Sequence, residues 1–248
     1  MVLKFKCEYD GMNYCGFQRQ KNGLSVQQVL EETLTEIFSE KITLHASGRT
    51  DAGVHARSQV CSFKISLKSN FDDIELFNLA RRVNSMLPPP IAVRDFEVAE
   101  DGFNARYAVV AKTYVYRCYV SKFRSPLRDS YMLQIYEMPN VDAMRDAAKM
   151  LIGKHDFTSF CNVQTDKEDK VRTIHELEIK YDGDEIIFKI CGNGFLRNMV
   201  RIIVGTLLDV GNGKILVSDV DKILKSKDRN MAGKTVDAKG LILWEVEY

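Results

Sequence analysis

The segment Gly48–Ala56 (GRTDAGVHA) sets one acidic side chain, Asp51, among small and flexible residues. An aspartate followed closely by a glycine is ordinary turn chemistry, and most such loops do nothing more. Arg49 changes the expectation, because residues two apart in an extended segment share a face and a neighbouring cation favours an ionised carboxylate. An ionised carboxylate is what a general base or a nucleophile must offer. The sequence therefore leaves two interpretations of Asp51 open, a turn residue and a reactive group.

A metal site is an alternative for the same segment, since His45, Asp51 and His55 lie within eleven residues. Asp51 and His55 would align on a helix, but Gly48 and Gly53 argue against a helix here. Catalytic zinc usually has three protein ligands in a fixed geometry, and no other Cys or His spacing completes such a set. We therefore expect no metal. The two remaining histidines are expected to be structural or to face the substrate: His155 and His175.

A phosphate-binding loop is a third possibility, suggested by the glycine-rich stretch Gly205–Lys214. The stretch lacks the GxxxxGK[ST] spacing and does not lead from a strand into a helix. We interpret Gly211-Asn212-Gly213 as the end of an apolar helix instead.

A basic and aromatic stretch runs from Arg106 to Arg128 and contains no acidic residue. Cations interleaved with rings suit a surface that follows a nucleic-acid backbone and stacks on its bases. An ordinary strand with aromatic core residues and solvated lysines explains the same pattern equally well. The basic residues of the stretch are Arg106, Lys112, Arg117, Lys122, Arg124 and Arg128, and its rings are Tyr107, Tyr114, Tyr116, Tyr119 and Phe123.

A second basic patch spans Phe195 to Arg201, inside a segment that is predicted to be helical. Arg197 and Arg201 lie four residues apart, so they would share one face of that helix. This patch is the second candidate for contacts with a nucleic acid.

Composition sets the broad class of the protein. The chain has 248 residues, of which 45% are hydrophobic and 28% charged, the balance of a globular protein with one or two domains. Lys and Arg (35) nearly cancel Asp and Glu (34), so the net charge of +1 neither supports nor excludes a nucleic-acid partner. The six cysteines form no CxxC pair, and the longest apolar run, Met199–Val210, carries Arg201 and Asp209. We expect a cytoplasmic protein with reduced thiols and no membrane association.

Hydrophobic periodicity places these residues on a mixed set of strands and helices. Ser25 and Gln28 form a capping pair that begins the first helix, Gly153 is expected to cap the third, and Asp182-Gly183 is expected to form a tight turn. Strands are predicted over Val2–Tyr9, Ile42–Ala46, Gln59–Leu67, Ile91–Val98, Tyr107–Val120, Val171–Tyr181, Glu185–Cys191 and Leu241–Val246. Helices are predicted from Ser25 onward and over Ile74–Met86, Val141–Leu151, Phe195–Val210 and Val217–Leu224. Hairpins with few crossovers favour antiparallel sheets covered by helices, an α+β fold.

At the level of motifs the sequence resembles the tRNA pseudouridine synthase A (TruA-type) family, nearly end to end. Gly48–Ala56 matches the family's GRTDAGVHA signature letter for letter. The other matching blocks follow in the family's order: Tyr9–Gly11, Tyr14–Gln18, Ser25–Gln27, Asn84–Pro88, Phe103–Tyr107, Lys112–Tyr116, Gly153–Phe157, Arg172–Ile174, the GNGFLRNMVRIIVG run from Gly192, and Gly240–Leu243. Two positions depart from the pattern, since Thr235–Ala238 stands where the family usually has Ala-Pro and Asn104 replaces a frequent histidine.

The resemblance implies an α+β fold of two domains, with a central antiparallel sheet flanked by helices and an active-site cleft between the domains. We place an N-terminal domain with the Asp51 loop at residues 1–104 and a C-terminal domain at residues 105–248. The resemblance further implies a cytoplasmic homodimer whose partner is tRNA, without metal, cofactor or membrane.

The resemblance also implies a reaction, the isomerisation of uridine to pseudouridine at positions 38 to 40 of the tRNA anticodon stem-loop. Asp51 aligns with the family's nucleophile, which acts on a flipped-out base. Arg49 would keep Asp51 ionised and occupy the space that the base leaves, and Tyr114 would stack on the uracil or relay its proton. The expected substrate-binding residues are Arg49, Tyr114, Leu241, Arg197 and Arg106.

The sequence leaves two other functions open. One is an RNA chaperone or adaptor that has lost its chemistry, although the intact Arg49-Thr50-Asp51 argues against this. The other is metal-dependent hydrolysis around His45, Asp51 and His55, which predicts that chelators abolish activity.

Overall fold

The computed structural model describes residues 1–66, 71–162 and 168–248. In chain order the elements are β1 (Val2–Tyr9), α1 (Val26–Phe38), β2 (His45–Ala46), β3 (His55–Lys64), α2 (Asp73–Met86), β4 (Ile91–Ala99), β5 (Ala111–Val120), β6 (Leu133–Ile135), α3 (Val141–Lys149), β7 (Gly153–Asp156), β8 (Val171–Asp182), β9 (Glu185–Gly192), α4 (Met199–Gly211), α5 (Asp219–Ser226) and β10 (Leu241–Glu247). The chain packs into two compact units, residues 1–110 with 243–248 and residues 111–242. The two domains predicted from the sequence, residues 1–104 and 105–248, stay a prediction, because a compact unit of contacts is not in itself a domain.

The first unit contains a sheet built around β1. This strand pairs antiparallel with β3 on one side and β4 on the other, and β10 adjoins β3. The β1–β3 register sets Phe5 opposite Cys61, and the Phe5 ring stacks on Phe96 at 4.8 Å between centroids. Helix α2 packs on β4 and contacts α1. Alternation along β1 thus sends one set of side chains into an apolar core.

The second unit contains the antiparallel order β5-β9-β8-β7, with β6 parallel to β5. Helix α3 packs against β8 and α4. Nearly every residue of α4 is buried, as its continuous apolar sequence predicts. Gly183, with φ 60°, forms the turn between β8 and β9 together with Asp184, one residue later than the predicted pair.

Side-chain caps begin three of the helices. Ser25 Oγ accepts from Gln28 N at 3.2 Å, whereas the Gln28 side chain donates to Glu32 rather than back to the cap. Asp72 and Glu75 form a complete capping box at the start of α2. Asn140 caps α3 in the same way as Ser25 caps α1. Such caps satisfy amides that the first turn of a helix leaves open.

The predicted helix over Phe195–Val210 is wrong at its first turn. Asn198 is left-handed, with φ 63°, so α4 begins at Met199. Asparagine tolerates this conformation better than most residues, and the hydrophobic pattern does not report it. Arg197 therefore lies in a turn before the helix and does not share a helix face with Arg201.

Other predicted boundaries are corrected by local hydrogen bonds. Gly153 does not cap α3, because Met150 does so and Gly153 begins β7 with φ 108°. The strand predicted from Tyr107 starts only at Ala111, because the Tyr107 amide is drawn into a turn by Asn104 O. The predicted strand Ile42–Ala46 shortens to the two residues of β2, and Leu67 lies outside the described residues.

The fold class predicted from the sequence, α+β with helices on antiparallel sheets, is confirmed. All six cysteines are free thiols, and burial raises the pKa of Cys7, Cys61 and Cys118 far above the range in which a thiolate forms at neutral pH. These three thiols are thus part of the core. Within 1–66, 71–162 and 168–248, no helix has the length and apolar character needed to cross a membrane.

Candidate active site

The Asp51 loop connects β2 to β3 in the first unit. Thr50 is buried, while Arg49 before it is exposed and Asp51 after it is partly exposed. Val54 N donates to Asp51 O at 3.1 Å, so Asp51 is the first residue of a β-turn. Gly53 has φ 77° at the third position, where such a turn requires positive φ. Asp51 is therefore a turn residue in the loop between β2 and β3.

The residues before Asp51 are fixed by buried polar groups. Gln59 is fully buried on β3, where its Nε2 donates to Gly48 O at 2.7 Å and its Oε1 accepts from the Ser47 hydroxyl. Thr50 O accepts from Phe17 N at 3.1 Å. The Thr50 hydroxyl lies 2.8 Å from the Tyr9 hydroxyl. Both main-chain and side-chain atoms of the loop thus have fixed partners.

Two glycines let neighbouring backbone approach the loop. A Cβ on Gly11 would stand 2.0 Å from Val54 O, and a Cβ on Gly16 would stand 2.7 Å from Thr50 O. Gly16 also has φ 108°, which disfavours any other residue. The segments Tyr9–Gly11 and Tyr14–Gln18 therefore pack directly against the loop that carries Asp51.

His55 is a buried structural residue at the start of β3. Its Nδ1 lies 3.2 Å from both Gly11 N and Asp10 Oδ1. The described part of the chain contains no group of three or more His, Cys, Asp or Glu side chains that could hold a metal ion. His45 is exposed on β2. His55 thus connects the loop to the residues that follow β1.

Tyr114, which the resemblance predicts as the active-site aromatic, lies on β5 in the second unit. It is 8% exposed, and Phe195 packs edge-on against it at 5.1 Å between centroids. Tyr116 and Tyr119 on the same strand are fully buried, so two of the rings proposed as stacking surfaces are core residues. Burial raises the pKa of Tyr116, whose hydroxyl donates to Asp237 O at 2.8 Å.

The other predicted substrate-binding residues differ in exposure. Arg197 is exposed, and its carbonyl accepts from Asn162 N at 3.1 Å. Leu241 is buried at the start of β10 and follows Gly240, where a Cβ would stand 2.7 Å from the Tyr116 ring. Arg106, in the first unit, is exposed with its guanidinium 5.5 Å from the Tyr107 centroid.

Several basic residues form salt bridges or hydrogen bonds with other residues of the protein. Arg117 forms a 2.8 Å salt bridge with Glu185, and Arg128 forms one of the same length with Asp184. Arg201 Nε donates to Val236 O at 2.7 Å. Lys122 and Arg124 remain exposed, beside Phe123. The basic stretch therefore offers fewer accessible cations than its sequence suggests.

The sequence does not show which residues hold the loop. Six of them stand in the motifs named above, one of which, His55, was considered as a metal ligand, and Gln59 was placed only at the start of a predicted strand. Which residue touches which depends on the β1–β3 pairing and cannot be read from the motifs alone. The residues concerned are Tyr9, Asp10, Gly11, Gly16, Thr50, His55 and Gln59.

Comparison with known proteins agrees with the motifs. The family model described as tRNA pseudouridine synthase matches residues 7–107 and 147–248. The tRNA pseudouridine synthase A 1 of Bacillus cereus is 45% identical over 247 residues, covering 99% of this chain and 98% of the relative. The tRNA pseudouridine synthase A of Bacillus subtilis is 44% identical over 250 residues, covering 100% and 99%. Matches of this extent define an isomerase that acts on tRNA.

The chain belongs to the tRNA pseudouridine synthase family. Among solved structures, a chain from an H/ACA RNP bound to a substrate RNA containing 2′-deoxyuridine aligns with 84% of this chain and 44% of its own length. Its identity is 11% and its TM-score 0.39, and a likeness this distant supports no conclusion.

Gly16→Ala is expected to slow pseudouridine formation by about tenfold or more, since its Cβ would displace Thr50 and misplace Asp51. The measurement is the initial rate on a tRNA transcript, together with tRNA affinity and Tm. Gly102→Ala is the matched control, because Gly102 also has positive φ (89°) but no described atom would lie within 4 Å of its Cβ. Equal slowing in both variants would contradict the contact argument.

Proposed function

We propose that this protein converts uridines at positions 38 to 40 of the tRNA anticodon stem-loop to pseudouridine, with Asp51 as the nucleophile. The observation that carries the proposal is the placement of Asp51, partly exposed at the first position of a β-turn whose preceding residues are fixed by buried hydrogen bonds. A reactive group needs such support, because it must be held within a fraction of an ångström of its working position.

The reaction explains why a carboxylate suffices. The C1′–N1 bond of uridine breaks and a C1′–C5 bond forms, while C5 loses a proton and N1 gains one. No oxidation or reduction takes place, so the step needs no cofactor to balance it. An ionised aspartate near C1′ and C6 supplies the nucleophile, and a flipped-out nucleotide brings those atoms to it.

Arg49 supports this role through its position. It lies two residues before Asp51 on the exposed side of the loop, with buried Thr50 between them. The exposed guanidinium can fill the space that the flipped base leaves in the stem.

Tyr114 is proposed to handle the proton. With 8% of its surface exposed and Phe195 in T-shaped contact with it, the ring offers little area for stacking. The hydroxyl is the polar part that a substrate can use, and transfer of the C5 proton is the step that needs it. Leu241 is proposed to supply apolar contact to the base.

Recognition of tRNA is proposed to rest on phosphate contacts from exposed cations. The candidates are Arg106, Lys122, Arg124 and Arg197, which the structure leaves exposed. Phosphate contacts fix position, while the shape of the folded stem-loop selects the target. The homodimer and the cytoplasmic location expected from the resemblance stay predictions.

Asp51→Asn is expected to abolish turnover while tRNA affinity stays within about twofold, because binding is spread over many phosphate contacts. Pseudouridine is mapped by carbodiimide modification and primer extension on transcript tRNA, in the presence of EDTA. Asp101→Asn, in an exposed turn of the same unit, is the control and should keep the normal rate. Turnover by Asp51→Asn would remove Asp51 from the mechanism. Absence of pseudouridine with folded wild-type protein would favour the RNA-binding alternative, whereas hydrolysis of the transcript that EDTA abolishes would favour the hydrolase.

Tyr114→Phe is expected to bind tRNA normally but to lower the single-turnover rate by about 10²-fold, the usual contribution of a positioned proton-transfer group. Tyr119→Phe is the matched control, because Tyr119 is a buried tyrosine on the same strand whose hydroxyl accepts from Ser125 N. A full-rate Tyr114→Phe variant would rule out proton transfer and leave apolar contact as the role of the ring.

Arg197→Glu and Arg124→Glu are expected to weaken binding to all tRNA substrates alike and to lower the salt slope by about one per lost phosphate contact. The preferred uridine should not change. Lys225→Glu, on exposed α5, alters the net charge equally and should leave affinity unchanged. If Arg197→Glu lost one target uridine and kept its neighbours, this residue would read local sequence instead of phosphates.

A further inference from the structure

Two hydroxyl groups meet in the interior of the first unit beside the candidate nucleophile. The Tyr9 hydroxyl lies 2.8 Å from Thr50 Oγ1, although the two residues are 41 positions apart in the chain. Tyr9 is 3% exposed and Thr50 is 7% exposed. Thr50 is bonded directly to Asp51, so this hydrogen bond acts on the residue that precedes the candidate nucleophile in the chain.

The same end of β1 holds both sides of the Asp51 turn. Before the turn, Tyr9 contacts the Thr50 side chain. After the turn, Gly11 N donates to His55 Nδ1 at 3.2 Å, and Gly11 lies against Val54 O. Phe17 N fixes the Thr50 carbonyl from a second segment. The backbone of the turn is therefore held at both ends, and the Tyr9 hydroxyl contacts the side chain of the residue directly before Asp51.

We propose that Tyr9 is a positioning residue for the reaction: through Thr50, its hydroxyl fixes the direction in which the Asp51 carboxylate projects. The inference rests on the proposed role of Asp51 as nucleophile. A hydrogen bond between two hydroxyls is directional, whereas Phe and Val of nearly the same shape would fill the same volume without fixing an angle. Misplacement of a reacting group by 1 Å can cost about 10²-fold in rate, so a contact that matters little for folding can matter for turnover.

The test separates positioning from stability with matched variants. Tyr9→Phe and Thr50→Val are each expected to lower kcat by about tenfold, with KM and tRNA affinity within about twofold, because the bound geometry changes and the binding surface does not. The double variant should be no slower than either single variant, since both act through one contact. Thr50→Ser keeps the hydroxyl and should restore most of the rate.

Thr206→Val controls for loss of a buried threonine hydroxyl. Thr206 is fully buried on α4, where its Oγ1 donates to Ile202 O and accepts from Gly233 N. The Thr206→Val variant should lower Tm at least as much as Thr50→Val does and should leave kcat unchanged. Wild-type kcat in Tyr9→Phe and Thr50→Val would overturn the inference, as would an equal loss of kcat in Thr206→Val at a matched loss of Tm.

Asp51→Asn, assayed in parallel, distinguishes this inference from the proposed function. If Asp51→Asn keeps turnover, the nucleophile is wrong and the positioning role falls with it. If Asp51→Asn is inactive while Tyr9→Phe and Thr50→Val turn over at the wild-type rate, only the positioning role is overturned.

Discussion

The close contact between two glycines and the Asp51 loop is the constraint on which the candidate site depends. Gly11 and Gly16 lie so near the carbonyls of Val54 and Thr50 that a side chain at either position would overlap them. Their missing side chains let β1 and the following segment reach the loop backbone, and the Tyr9 and Phe17 contacts to Thr50 become possible only at that distance. Glycine therefore serves tight packing here, and flexibility has no part in it.

The sequence offered turn residue and reactive group as competing interpretations of Asp51, and the structure makes them compatible. Its carbonyl closes a β-turn with Val54, which the Asp-Ala-Gly sequence predicts well. A turn fixes the backbone of its first residue, and the side chain of Asp51 stays partly exposed. The β-turn that makes Asp51 a turn residue thus also supplies the rigid support that a reactive carboxylate needs.

Local signals predicted the regular elements better than their boundaries. The period of two along Val2–Tyr9 predicted both ends of β1, and the predicted start of α2 was one residue late. These predictions succeeded because alternation and capping depend on residues that are close together in the sequence. The left-handed conformation of Asn198 could not be predicted, since the apolar pattern of the segment continues through it and its contact with Arg201 forms only in the fold. The candidate site behaves in the same way: Asp51 stood out in the sequence, but its contacts with Tyr9 and Gln59 depend on strand pairing across the sheet.

Charge shows the same difference between a sequence and a folded surface. Arg117, Arg128 and Arg201 counted toward a basic surface in the sequence, yet each donates to a protein acceptor in the fold. The two acidic partners, Glu185 and Asp184, belong to the hairpin that joins β8 to β9, far along the chain from the acid-free stretch. At 0.1 M salt, screening limits the interaction between exposed charges to a range of about 10 Å. Attraction for a phosphate therefore depends on accessible cations near the point of contact. With a net charge of +1, RNA binding therefore depends on cations that stay exposed, such as Arg124 and Arg197, and the acid-free sequence overestimates how many there are.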